Sequence, residues 1–135
     1  GMFGENLTTT GIDIDHALIG ERWQVGDAVV LRVEGPRIPC GTFRMHMGEA
    51  GWLKRFVDHG LSGAYLSVER PGFVRPGETI TVLSRPDHAI DVPTVFRAFY
   101  DDVEAMREVI EAGVLSDSEE TAALEARLER LNRRR

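Results

Sequence analysis

The sequence predicts a mostly β, α+β protein, with a β domain over residues 2–90 followed by a helical tail over residues 91–135. Two observations support this prediction. Before residue 86, three pairs of glycine and an acidic residue, at 20–21, 26–27 and 77–78, each lead into apolar or β-branched residues, which is typical of tight turns before strands. From residue 93 onwards, apolar residues recur at helical spacing instead.

The first part of the chain contains five candidate strands and one candidate helix. The stretch 4–11 predicts a short strand that ends in a polar turn. The three glycine turns and a separate β-branched run predict four further strands, which contain residues 23–25, 28–33, 64–68 and 79–83. Residues 52–57 have helical spacing and are followed by Gly60, so we expect a short helix packed on the sheet.

Three short helices are expected in the tail. Asp101 with Glu104 has the spacing of an N-terminal capping pair, and Gly113 predicts the C-terminal end of the same helix. Ser116 with Glu119 repeats the capping pattern before a last helix. One face of that helix is lined by Leu124, Leu128 and Leu131.

Composition and charge exclude several classes of function. The net charge of −6 argues against general binding to nucleic acid or to an anionic membrane, because phosphate affinity comes from clustered Lys and Arg. No apolar run approaches the ~20 residues that span a bilayer. A single cysteine allows no internal disulfide and fits a reducing compartment. We therefore expect a cytoplasmic protein with no nucleic-acid partner and no membrane partner.

Cys40, the only thiol, is the first candidate for chemistry. Pro36 and Pro39 stiffen the chain that leads to it. If a helix follows, Cys40 lies at its N-terminus near Arg37, and both features favour the thiolate, which binds soft metals or accepts sulfur. The alternative is that Cys40 is a small buried hydrophobic residue, the commoner role of a lone cysteine.

Residues 3–9 form the second unusual segment. Glycine allows close backbone approach, Asn6 both donates and accepts hydrogen bonds, and Thr8 adds a hydroxyl, so the segment can hold an anionic or heteroaromatic ligand. Taken by itself, the segment is better explained as an ordinary strand followed by a polar turn. The four histidines lack metal-ligand spacing, and hydrolase or dinucleotide motifs are absent from the sequence.

Taken in order, several motifs resemble those of MOSC domains, the modules related to the C-terminal part of molybdenum-cofactor sulfurases. The motifs are Phe3-Gly4-Glu5-Asn6-Leu7-Thr8 and residues 19–23, 25–28, 36–40, 63–66 and 74–80. The chain is most similar to the YiiM-like branch, in which a short helical tail follows the β domain. Members of the family normally carry a substantial segment before the Gly-Glu-Asn-Leu motif, which lies close to the start of this sequence.

The resemblance implies a partly closed β-barrel that holds molybdenum cofactor (molybdopterin) or carries sulfur. It implies a reductase acting on N-hydroxylated compounds, with Cys40 as the thiolate ligand to molybdenum and with Arg37, Asn6 and Thr8 near the pterin and its phosphate. The family is also associated with pyridoxal phosphate binding. Two alternatives stay open: a sulfur carrier that forms a persulfide on Cys40, and a non-catalytic binding or dimerisation module.

The resemblance also implies partners. A sulfur carrier requires a cysteine desulfurase, and a reductase requires an electron-transfer protein. If the strands that normally precede the Gly-Glu-Asn-Leu motif are missing, edges of the sheet stay open and need covering. We therefore expect a homodimer in which a second copy covers such an edge.

Overall fold

The computed structural model describes residues 1–134; Arg135, the last residue of the expected tail, lies outside them. The predicted α+β class is confirmed, although helices hold more residues than strands. Two of the helices lie between the second and third strands. No helix within residues 1–134 is both long and apolar enough to cross a membrane. In chain order the elements are β1 (Arg22–Val25), β2 (Val29–Pro36), α1 (Gly41–Met47), α2 (Trp52–His59), β3 (Ala64–Arg70), β4 (Ile80–Ser84), α3 (Val92–Phe99), α4 (Val103–Ala112) and α5 (Ser118–Asn132).

The four strands form one antiparallel sheet in the order β3-β2-β1-β4. Trp23 of β1 lies opposite Leu31 of β2 and Val82 of β4, which places large apolar side chains on one face of the sheet. The outer strands β3 and β4 do not pair with each other, so the barrel is not closed by residues 1–134.

The predicted turns between strands are confirmed, and Gly26 illustrates why they need glycine. Its φ of 57° lies in the left-handed region, which is costly for a side chain with a Cβ. A Cβ at this position would also lie 2.9 Å from the carboxyl carbon of Glu78. The Glu78 carboxylate is the end of a flexible side chain and can move away, so the β1–β2 connection depends on glycine mainly for its backbone conformation.

One hydrophobic core joins the sheet to the helical tail. Trp23 and Val33 come from the sheet, Val95 from α3, Met106 from α4 and Leu124 from α5, and each is at most 2% exposed. The leucine face expected on the last helix is confirmed, because Leu128 and Leu131 pack on the same cluster. The last helix therefore docks on its own chain.

A buried carboxylate, Glu21, orders the entry to β1. It accepts hydrogen bonds from the Leu18 N–H at 3.2 Å and from the Trp23 indole N–H at 2.9 Å. Arg85 lies 3.5 Å from the same carboxylate. An unpaired buried charge is costly, so these contacts explain how the Glu21 carboxylate can be buried with only 4% of its side chain exposed.

The strand expected over residues 4–11 is wrong. This segment is irregular, with bends at residues 6, 10 and 11, and its side-chain hydrogen bonds are local. The Glu5 carboxylate accepts from the Phe3 N–H at 3.1 Å and from the Thr8 hydroxyl at 3.1 Å. A strand needs a neighbouring strand for its backbone groups, and this segment pairs with none of the four strands.

Two helix starts are displaced by one residue from their expected positions. Asp102, rather than Asp101, caps α4 by accepting from the Glu104 and Ala105 N–H groups. Asp117, rather than Ser116, caps α5, whereas the Ser116 hydroxyl donates to Glu34 at 3.2 Å. The expected C-terminal end at Gly113 is confirmed, with a φ of 60°.

The docking of α5 can be tested by removing its buried side chain. Leu124→Ala should lower the free energy of unfolding by about 2–5 kcal/mol, because it leaves a cavity in the shared core. Chemical denaturation measures the loss. Leu83→Ala, at a site that is 44% exposed, is the control and should cost less than about 1 kcal/mol. Equal effects of the two substitutions would contradict the docking of α5.

Candidate functional site

Cys40 lies on the surface at the start of α1. The helix expected after it is confirmed, and Cys40 is its N-cap residue with an extended backbone (φ −104°, ψ 174°). Pro36 ends β2 and Pro39 precedes the cysteine, so four residues connect the sheet to the helix. The side chain is exposed, which contradicts the alternative of a cysteine buried in the core.

The surroundings of Cys40 lower the pKa of its thiol below the ordinary value of 9.0. The main cause is the backbone N–H of Phe43 in the first turn of α1, and the Thr42 N–H, the Cys40 N–H and the Thr42 hydroxyl act in the same direction. Desolvation, the second-largest effect, opposes them. Because these donors stabilise the negative form, the thiolate is present at a lower pH than in an unfolded chain.

Arg37 does not act on the thiol as expected. Its guanidinium carbon lies 4.1 Å from the centroid of the Phe43 ring, in a cation–π contact, and it is not among the groups that lower the pKa of Cys40. Its backbone N–H donates to the Gly63 carbonyl at 3.1 Å, next to the start of β3. Within residues 1–134 no carboxylate forms a salt bridge with Arg37.

Phe43 also connects α1 to the N-terminal segment through an aromatic cluster, formed by Phe3, Phe43, Trp52, Phe56 and Phe96. The Phe3 ring lies 5.8 Å from that of Phe43 and 5.6 Å from that of Trp52, between centroids. The Phe43 and Phe56 rings are 5.3 Å apart. The cluster was not predicted from the sequence, although Trp52 and Phe56, four residues apart on α2, were a signal for it.

Asn6 and Thr8 are exposed, and the structure does not bring them into hydrogen-bond contact with Cys40 or Arg37. The Thr8 hydroxyl donates to Glu5 instead, and Asn6 forms no side-chain hydrogen bond within the described part of the chain. The side-chain oxygen of Thr9 is buried without a hydrogen-bond partner. Four residues were predicted to form the site, and only two of them, Cys40 and Arg37, lie next to the same residue, Phe43.

The surface around Cys40 is open. A cavity of about 540 Å³ lies between α1 and α2 and includes Arg44 and Trp52 in its lining, and one of about 180 Å³ lies between β2, β3 and the tail. Neither cavity is lined by Cys40. Residues 1–134 contain no group of three or more His, Cys, Asp or Glu side chains placed to hold a metal ion. The site is thus a fixed, reactive thiol on an exposed surface.

An open antiparallel sheet, a helical layer and a single thiol at a helix N-terminus define the class of this protein. The MOSC domain matches residues 1–81, and the chain belongs to this family. A relative in Bacillus subtilis, "Uncharacterized protein YflK", is 32% identical over 119 residues, which are 86% of this chain and 53% of the relative.

A second relative, named "Reductase", comes from Gibberella moniliformis. It is 36% identical over 86 residues, which are 64% of this chain and 15% of that protein. The chain therefore spans about half the length of YflK and a small part of the reductase.

The fold is that of a YiiM-like protein. The crystal structure of YiiM from Geobacillus stearothermophilus superposes with a TM-score of 0.79 at 25% identity. The match covers 94% of this chain and 66% of the YiiM chain. The predicted membership of the YiiM-like branch is thus confirmed.

The lowered pKa of Cys40 predicts how fast its thiol reacts at different pH values. In the folded protein, the midpoint of the pH profile for alkylation by iodoacetamide should lie below the midpoint for the urea-unfolded chain, because only the thiolate reacts. Thr42→Ala removes the hydroxyl donor and keeps the backbone donors, so its midpoint should lie between the two. Mass spectrometry of the alkylated fraction measures all three profiles. Identical midpoints for the folded and unfolded chains would contradict the assignment.

Proposed function

We propose that this chain is the molybdenum-cofactor-binding module of a reductase that acts on N-hydroxylated compounds, with Cys40 as the protein ligand to molybdenum. Membership of the MOSC family and the similarity to a protein named reductase support the proposal. The observation that carries it is the exposed thiol of Cys40, whose pKa is lowered by the N-terminal N–H groups of α1.

The residues of the site fit this cofactor in their donor chemistry. Molybdenum in the cofactor is bound by sulfur, and a thiolate is a soft ligand that completes such a set. Cys40 is exposed, and no second protein ligand is needed because the organic part of the cofactor holds the metal. A single thiolate without a surrounding ligand cluster is therefore a suitable arrangement.

Other residues of this chain would bind the organic part of the cofactor. The Arg37 guanidinium has no carboxylate partner among residues 1–134, so its charge is available to a phosphate group. Asn6 and Thr8 are exposed on the segment that Phe3 anchors to the aromatic cluster, and they offer hydrogen-bond donors and acceptors to a pterin.

When bound, the cofactor would supply the redox chemistry and the open metal position that accepts the oxygen of an N-hydroxyl group. The N–H groups of Phe43 and Thr42, which lower the pKa of Cys40, would favour the thiolate form that binds the metal. An electron-transfer partner would deliver the electrons. We further propose that the protein acts in the cytoplasm. Pyridoxal phosphate is not part of the proposal, because the only lysine, Lys54, is 81% exposed and pairs with Asp58.

Metal analysis tests the proposal. Protein purified from a host that makes the cofactor should contain one molybdenum per chain, and Cys40→Ser should lose it, because the metal loses its protein ligand. Met45→Ala, at a 79% exposed position on the same helix, is the matched control and should keep the metal. Molybdenum that is absent from the wild type, or unchanged in Cys40→Ser, would sink the proposal.

A sulfur carrier is the second candidate, and the same exposed thiol favours it. In this reaction the Cys40 thiolate attacks the outer sulfur of a persulfide on a cysteine desulfurase, the donor S–S bond breaks, and the donor cysteine leaves as a thiolate. The product is a persulfide on Cys40.

Mass spectrometry after incubation with a desulfurase and cysteine separates the two candidates. A carrier gains one sulfur atom on Cys40, and Cys40→Ser gains none. If the wild type acquires neither sulfur nor molybdenum, only the non-catalytic binding module is left.

A further inference from the structure

Phe3 lies where the N-terminal segment, residues 2–8, meets the helices α1 and α2. Its ring centroid is 5.8 Å from that of Phe43 on α1, and it is 5.6 Å and 6.2 Å from those of Trp52 and Phe56 on α2. The contacts with Phe43 and Phe56 are edge-to-face, an arrangement that aromatic rings prefer. One side chain of the segment therefore contacts both helices.

A second contact joins the same segment to α1. The Met2 carbonyl accepts a hydrogen bond from Nε2 of His46 at 3.2 Å. His46 and Phe43 are three residues apart on α1, so they are neighbours on one face of the helix. The segment is thus held to this face by a ring contact and by a polar contact.

α1 depends on contacts of this kind. It has seven residues, and a helix of that length is unstable by itself in water, so packing must hold it. Phe43 is its only buried residue. The helix begins at Cys40, whose carbonyl accepts a hydrogen bond from the Arg44 N–H at 3.0 Å. The contacts that fix Phe43 therefore also fix the turn of backbone that carries Cys40.

We propose that Phe3 is a positioning residue for Cys40 that acts through Phe43. The same ring joins residues 6–8 to the helix that begins at the cysteine, so the two parts of the site move as one unit. The positioning of Cys40 is independent of whether this residue binds molybdenum or carries sulfur. The consequence for cofactor binding rests on the proposed function, because only there do residues 6–8 contact a pterin.

Amide hydrogen exchange, measured residue by residue by NMR, tests the coupling without a cofactor. Phe3→Ala should raise the exchange rate of the Arg44 amide about tenfold, because the loss of the ring contacts favours local opening of α1. Phe3→Tyr keeps the ring and should restore the rate to within about twofold of the wild type. This rescue separates a role of the ring from a general effect of changing the segment.

Tyr100→Ala is the matched control. Tyr100 packs on the aromatic cluster through Phe96, with 4.8 Å between the ring centroids, and it pairs with no other ring among residues 1–134. The variant should lower the free energy of unfolding, yet it should change the exchange rate of the Arg44 amide less than about twofold. A general loss of stability would instead accelerate exchange in Tyr100→Ala and Phe3→Ala alike.

The coupling is reciprocal, so it can also be measured from the other side of the contact. Phe43→Ala should lower the backbone NMR order parameters of residues 4–8, because it releases the ring of Phe3, whereas Tyr100→Ala should leave them unchanged. Circular dichroism checks that each variant is folded. If Phe3→Ala does not fold, Phe3→Leu takes its place, since it keeps an apolar side chain and removes the ring.

Two results would overturn the proposal. One is a folded Phe3→Ala variant whose Arg44 amide exchanges at the wild-type rate, and the other is an equal acceleration in Phe3→Ala and Tyr100→Ala. If Phe43→Ala does not fold, the comparison of these two variants with Phe3→Tyr decides. The molybdenum content of the wild type tests the proposed function separately, so either proposal can fail without the other.

Discussion

The packing of one side chain, Phe43, determines where the reactive thiol lies. α1 has seven residues, which is too short for a helix to be stable by itself in water, and Phe43 is its only buried residue. The Phe56 ring lies 5.3 Å from it on one side, and the Arg37 guanidinium covers it at 4.1 Å on another. The N–H groups that stabilise the Cys40 thiolate are held in place by this contact. The exposed chemistry of the site thus depends on a buried aromatic ring.

The helix α3 couples that ring to the rest of the molecule. Val95 and Ala98 are fully buried in the core shared with the sheet, whereas Phe96 lies 6.0 Å from Phe56 in the aromatic cluster. One helix therefore contacts both the sheet core and the layer that carries Cys40. The tail is more than an appendage, because a shift of α3 would displace the support of α1. This explains how a thiol on an open surface can have a defined orientation.

Local patterns were sufficient for the parts of the fold that local forces determine. The strands that follow glycine turns and the leucine face of α5 were predicted correctly, because turn geometry and periodicity are properties of short segments. The other parts of the fold depend on contacts between residues that are far apart in the sequence. Asp101 has the correct residue type for a cap, yet it takes a positive φ of 69° and pairs with Arg127 of α5 at 2.6 Å. That pairing leaves Asp102 to cap α4, and no pattern in residues 101–104 distinguishes the two.

The candidate site also has features that local sequence predicts and features that depend on distant contacts. The sequence around Cys40, with its two prolines, was sufficient to predict that this residue lies at a helix N-terminus. The contact of Arg37 was not predictable in the same way, because the Phe43 ring, rather than the thiol, binds its guanidinium. The N-terminal segment was expected to form a strand, whereas the Phe3 contact with Phe43 brings it to the layer of α1 and α2. An exposed thiol gives little selectivity by itself, since selectivity requires contacts that differ between ligands. A ligand that brings its own metal and its own phosphate needs no deep pocket if it meets the Cys40 sulfur and a guanidinium without a carboxylate partner on one surface. The openness of the site is thus compatible with the proposed cofactor, and it is what a carrier that hands its sulfur to another protein would also need.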